Sequence, residues 1–152
     1  MDAVDGPAEH ARYAAHLAEL ERVPDADEAG LVAGVLADPD PVMARAAVVR
    51  HLDRRAAQLY PEPVWEEWAE AMARVVTGHP FLALRLEEWS LFRAVALGLP
   101  WRPDDLLAAS DRLQLKAADG TTPEALRLLA ESGRTKRIRN TARESLRRQA
   151  GA

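Results

Sequence analysis

The stretch DPDPVMARAAVVRHL, residues 38–52, decides the fold. Its two prolines stand at the start, where a fixed φ and a missing N–H are tolerated in the first turn of a helix, and no proline follows. Beyond Pro41 the apolar residues recur at three- and four-residue spacing instead of alternating, which is the period of a helix. The same pattern holds along the chain. Alanine, leucine, arginine and glutamate dominate, β-branched runs are short, and no segment reads as a strand.

Proline and glycine divide the chain into about eight helices. They are expected over about 7–22, 27–37, 41–59, 64–77, 79–97, 103–118 and 123–131, with an eighth containing GRTKRIRNTARESLRRQ, residues 133–149. Thr122 is expected to cap the seventh, and Gly133 to end it. Gly30 and Gly34 fall inside the second, where glycine permits close helix contact. The linkers are short, so neighbouring helices are expected to pack as antiparallel hairpins.

The decisive stretch also repeats. Ile138-Arg139 followed by Ala142 and Leu146 fits an apolar-Arg-x-x-Ala-x-x-x-Leu pattern, and Ala44-Arg45 followed by Val48 and Leu52 has the same skeleton. A third copy, Phe92-Arg93-Ala94-Val95-Ala96, lies between them. Arg45, Arg93 and Arg139 are 48 and 46 residues apart, close to the roughly 40–47-residue period of two-helix solenoid repeats. With the Asp38-Pro39-Asp40-Pro41 turn, and Leu126 and Leu129 leading into Ile138-Arg139, the chain over about residues 27–149 resembles HEAT-type repeats. The resemblance implies a short right-handed α-solenoid in one domain, 1–152, with a capping helix over 1–24 and approximate repeats over 25–60, 61–100 and 101–150. It also implies structural roles for Asp38, Arg45 and Arg139, which with Arg93 would form an aspartate–arginine ladder between repeats. The second repeat departs from the pattern, with Gly78-His79-Pro80 where an aspartate is expected.

At 152 residues and 16.7 kDa the chain is long enough to bury a substantial core. It has no cysteine, so disulfides, thiolate nucleophiles and cysteine-ligated metals are excluded. No apolar run approaches the roughly 20 residues of a membrane span, and the start MDAVDGPAEHAR does not resemble a secretory signal, so a cytoplasmic location is expected. Charge is uneven: residues 1–126 carry 12 basic and 22 acidic groups, whereas 127–152 carry 8 basic and 2 acidic. An acidic body repels a phosphate backbone over any long footprint, which confines nucleic-acid contact to the last quarter.

Chemistry is sparse. The histidines at 10, 16, 51 and 79 form no metal-ligand spacing, and neither a metal nor a cofactor is expected. The serines at 90, 110, 132 and 145 lack a nucleophile-elbow context, and Ser110 reads as a plain helix position. Glu66, Glu67 and Glu70 beside Trp65 and Trp68, and Glu87 and Glu88 beside Trp89, read either as a tuned acid in a pocket or as the wet side of amphipathic helices. The tryptophans read as core or as recognition surface, with Trp101 in a loop.

The leading expectation is a non-catalytic interaction module that binds an acidic segment of a protein partner. Its candidate contact residues are Arg85, Trp89, Arg93, Trp101, Arg134, Lys136, Arg137 and Arg143. Three alternatives stay open: a nucleic-acid binder, which the resemblance extends to DNA glycosylases of HEAT-like build; an immunity or inhibitor protein; and an enzyme with an interhelical pocket.

Overall fold

The structure, a computed structural model, describes residues 2–151; Met1 and Ala152, the two ends of the expected domain, lie outside the described residues. Among the described residues it contains nine α-helices, one 3-10 turn and no strand, so the protein is all-α. The helices fall into two compact units, residues 1–86 and 87–152, whose boundary lies inside the fifth helix.

The first unit holds α1 (Asp2–Arg22), a 3-10 turn (Asp25–Asp27), α2 (Glu28–Leu36), α3 (Pro41–Leu59), α4 (Trp65–Val75) and the start of α5 (Pro80–Leu97). α3 is the expected helix to the residue. Asp40 caps it by accepting the Met43 N–H at 3.1 Å, Pro41 fills the first turn, and Asp38 folds back to accept the Asp40 N–H at 2.9 Å. Its stripe of Ala44, Ala47, Val48, Leu52 and Ala56 is fully buried, and α1 and α2 both pack on α3. α4 presents Trp65, Trp68 and Met72 on one face, with the two indoles 5.3 Å apart between centroids. Each such side chain contributes roughly 1.5–3 kcal/mol by leaving water.

Gly30 and Gly34 do a different job from the one expected. Both are exposed, and a Cβ at either would meet nothing within 4 Å, so neither permits a close helix contact. They leave α2 a weak helix, since each glycine costs about 0.5–1 kcal/mol against alanine.

The second unit holds the rest of α5, then α6 (Pro103–Ala108), α7 (Asp111–Ala118), α8 (Pro123–Ser132) and α9 (Lys136–Gly151). Where one helix was expected over about 103–118, two are found. Ala109 and Ser110 adopt extended ψ values of 164° and 159°, and Ser110 caps α7 by accepting the Leu113 N–H at 3.2 Å. Glu88 holds the cap in place, taking the Ser110 N–H at 2.8 Å and its hydroxyl at 2.9 Å. Buried Gln114 then closes the corner, donating to the Leu106 and Leu107 carbonyls and accepting the Arg134 N–H.

α8 and α9 pack on each other across Gly133. Gly133 has an ordinary φ of −57°, so it is not there for a left-handed turn. Its role is closeness: a Cβ would sit 2.6 Å from the Leu129 carbonyl oxygen and 2.7 Å from Ile138 Cγ2. Ser145 Oγ–H donates to the Ala118 carbonyl at 2.6 Å and fastens α9 to α7, while Ile138 and Ala142 are buried.

Candidate interaction surfaces

The first unit is organised around a buried glutamate. Glu28, the first residue of α2, is 3 % exposed and meets side chains from α3 and α4. Oε2 accepts from His51 Nε2 at 2.8 Å, Arg55 Nε at 2.9 Å and Trp68 Nε1 at 3.1 Å, and Oε1 accepts from Arg55 Nη2 at 3.0 Å. Arg54 Nη2 lies 3.1 Å from His51 Nδ1. A guanidinium can only donate, so His51 Nδ1 carries a lone pair and Nε2 carries the proton given to Glu28. Arg55 Nη2 reaches on to Asp25 at 3.1 Å.

These contacts set the chemistry of the carboxyl. Burial by itself would raise its pKa, but the hydrogen bonds from His51, Arg55 and Trp68, with the Arg55 charge, outweigh it and lower the value from 4.5 to about 2. Glu28 is therefore ionised at neutral pH with its lone pairs in use. Such a group is a poor general base, for which a pKa near the working pH is required. It is a fastener joining α2, α3 and α4, and the tuned acid envisaged at Glu66, Glu67 or Glu70 does not coincide with it; those three side chains are exposed.

The expected contact residues separate by environment. Arg85 is committed internally, 2.6 Å from Asp53, with its guanidinium 5.5 Å from the Phe81 ring centroid. Trp89 is 3 % exposed and meets Phe92 edge to face at 5.7 Å, so burial removes its indole from any partner surface. Arg93 and Trp101 are half-buried. Arg134 is exposed but tied down by Asp111 at 2.8 Å and the Leu107 carbonyl at 3.2 Å. Lys136, Arg137 and Arg143 are exposed on α9, Arg143 also reaching Asn140.

The residues assigned to a repeat ladder have separate partners. Asp38 accepts from His16 at 3.0 Å and lies 3.5 Å from Arg12, which docks α1; the His16 hydrogen bond, then that of the Asp40 N–H, holds its carboxyl below the usual range. His16, which looks like a solvated histidine in sequence, is thus half-buried and engaged. Arg45 stacks on Phe81 at 5.1 Å, and Arg139 donates to the Gly133 carbonyl at 2.8 Å.

On the second unit α7 and α9 pack side by side and leave a groove of about 480 Å³. Arg112 and Lys116 line it from α7, and Arg137 and Thr141 from α9, with Leu115 and Asp119. Lys116 Nζ also lies 5.0 Å from the Trp89 and Phe92 ring centroids. Arg112 and Lys116 escape a reading that looks for charge runs, yet their four-residue spacing puts both on one side of α7. The second unit carries 12 basic and 9 acidic residues, against 8 basic and 15 acidic in the first.

Among the described residues no group of three or more His, Asp or Glu could hold a metal ion, and no helix is long and apolar enough to cross a membrane. No protein family, curated protein or solved structure matches the chain.

Proposed function

We propose that the protein is an interaction module whose second unit binds an acidic segment of a protein partner along the groove between α7 and α9. The observation that carries this reading is the convergence of Arg112, Lys116 and Arg137 on one groove, with Asp119 as the single opposing charge in its lining. Leu115 adds an apolar contact, and Lys136 and Arg143 extend the positive surface along α9. Exposed ion pairs are worth about 0.2–1 kcal/mol each, so the groove supplies moderate, salt-sensitive affinity, and orientation more than strength. The HEAT-like reading belongs to the same proposal: α2 with α3 and α8 with α9 are consecutive helices that pack on each other, as stacked hairpins require.

The test is fluorescence anisotropy with a labelled peptide of alternating acidic and apolar residues, titrated at low and high salt. Arg137→Glu is expected to weaken binding roughly tenfold, and added salt to weaken it further. Binding indifferent to Arg137→Glu would refute the proposal. Tighter binding to duplex or single-stranded nucleic acid, falling steeply with salt, would replace it with the nucleic-acid reading.

A further inference from the structure

The first unit has a second concave feature, of opposite charge. Beside the Glu28 cluster a cleft of about 220 Å³ opens where the 3-10 turn, α2, α3 and α4 meet. Its apolar lining is Ala29, Leu59, Val64, Trp68, Ala71 and Met72, and Val64 is 50 % exposed at its edge. The volume is below the roughly 300–1,000 Å³ of small-molecule sites, and suits one apolar side chain better than a cofactor.

The charges around the cleft select what surrounds that side chain. Three carboxylates line it, from Asp25, Glu28 and Glu67, against the single guanidinium of Arg55. Glu28 is saturated by internal donors, and Arg55 is held between Glu28 and Asp25, so neither is available to an incoming group. Asp25 has a side chain 90 % exposed, and Glu67 is exposed on α4. Glu70 lies one turn further along that side of the helix, 3.2 Å from Arg74. The accessible rim is thus acidic around an apolar floor.

We propose that this cleft is a docking site for a basic amphipathic segment of a partner protein. One apolar side chain of the segment enters between α3 and α4, and Lys or Arg residues flanking it meet Asp25 and Glu67. The argument is charge complementarity around a hole of side-chain size, the arrangement by which helical segments anchor in grooves. It is independent of the basic groove, which lies on the other unit and selects the opposite charge.

The experiment uses the full chain and a labelled twelve-residue helical peptide with a leucine stripe flanked by lysines, beside a composition-matched scramble. Anisotropy gives affinity, and amide chemical shifts give location. The expected result is binding of the patterned peptide with shifts at Ala29 and Ala71. Glu67→Lys, an exposed change, and Ala71→Phe, which plugs the cleft, should each weaken it roughly tenfold, while Arg137→Glu leaves it unchanged. Circular dichroism checks each fold; if the plug disrupts it, Val64→Lys at the exposed edge, which removes an apolar contact and repels the flanking lysines, takes its place. Equal binding of the scramble, insensitivity to Glu67→Lys, or shifts confined to residues 87–151 would overturn the proposal. So would concentration-dependent dimerisation abolished by both Glu67→Lys and Arg137→Glu, which would make a second copy the occupant.

Discussion

Replacing Glu28 by glutamine tests whether the first unit depends on one ionised carboxylate. The side chain keeps its size but loses its charge, and its NH₂ turns two donors toward His51 Nε2, Arg55 and Trp68 Nε1, which are donors themselves. Two routes give the magnitude. Breaking a buried ion pair by removing one partner costs about 3–5 kcal/mol. Independently, the fall in pKa from 4.5 to about 2 corresponds to about 3 kcal/mol. The sign follows from the depression: the contribution is fully present above the unfolded value near 4.5, and is lost as the pH falls through about 2. Urea denaturation followed by the amide resonances of residues 28–72 should show Glu28→Gln less stable by about 3 kcal/mol at pH 7. Its stability should also fall less steeply than the parent's between pH 4.5 and 2, because the titrating group is gone. A variant within 1 kcal/mol of the parent at pH 7, with a parallel acid profile, would refute the fastener role.

Other substitutions test the local geometry. Gly133→Ala drives a methyl into the Leu129 carbonyl and Ile138, and should cost about 1–3 kcal/mol in thermal or urea unfolding. Gly30→Ala and Gly34→Ala place a methyl in open space on α2, and each should stabilise by about 0.5–1 kcal/mol in the same assays. Ser110→Ala removes the α7 cap and a hydroxyl bonded to Glu88, and should cost about 1–2 kcal/mol, with faster amide exchange in the first turn of α7.

Helix positions were legible at most of the breaks the chain marks, although α1 starts at Asp2 and runs through Gly6 and Pro7 instead of starting at about residue 7. Pro41, Pro80, Pro103 and Pro123 begin helices, and Gly78, Gly98 and Gly120, all at positive φ, follow them. The break at Ala109-Ser110 is not legible in the sequence because neither a proline nor a glycine marks it; the one local sign is a serine three residues before Leu113, and its decisive partner, Glu88, lies 22 residues away. The Glu28 cluster was hidden for the same reason, being assembled across 23, 27 and 40 residues. A sign was present nonetheless: His51 interrupts the apolar stripe of α3 between Val48 and Leu52, and a polar side chain in such a stripe requires a buried partner. The positive charge of residues 133–149 was visible as composition, whereas its division between braces such as Arg134 and Arg139 and solvent-facing Lys136 depends on packing.

The makeup of α2 bears on how the first unit opens. Its nine residues include two solvent-facing glycines, and Asp27 gives it no side-chain cap. Helices shorter than about 12 residues are marginal on their own. What holds this one is the burial of Val32 and Val35 and the anchoring of its first residue. α2 is therefore a conditional element, ordered through its neighbours, and the place in the first unit where sub-global opening should begin. Because Ala29 forms part of the cleft floor, the same opening would dismantle the cleft, tying its occupancy to the lifetime of this short helix.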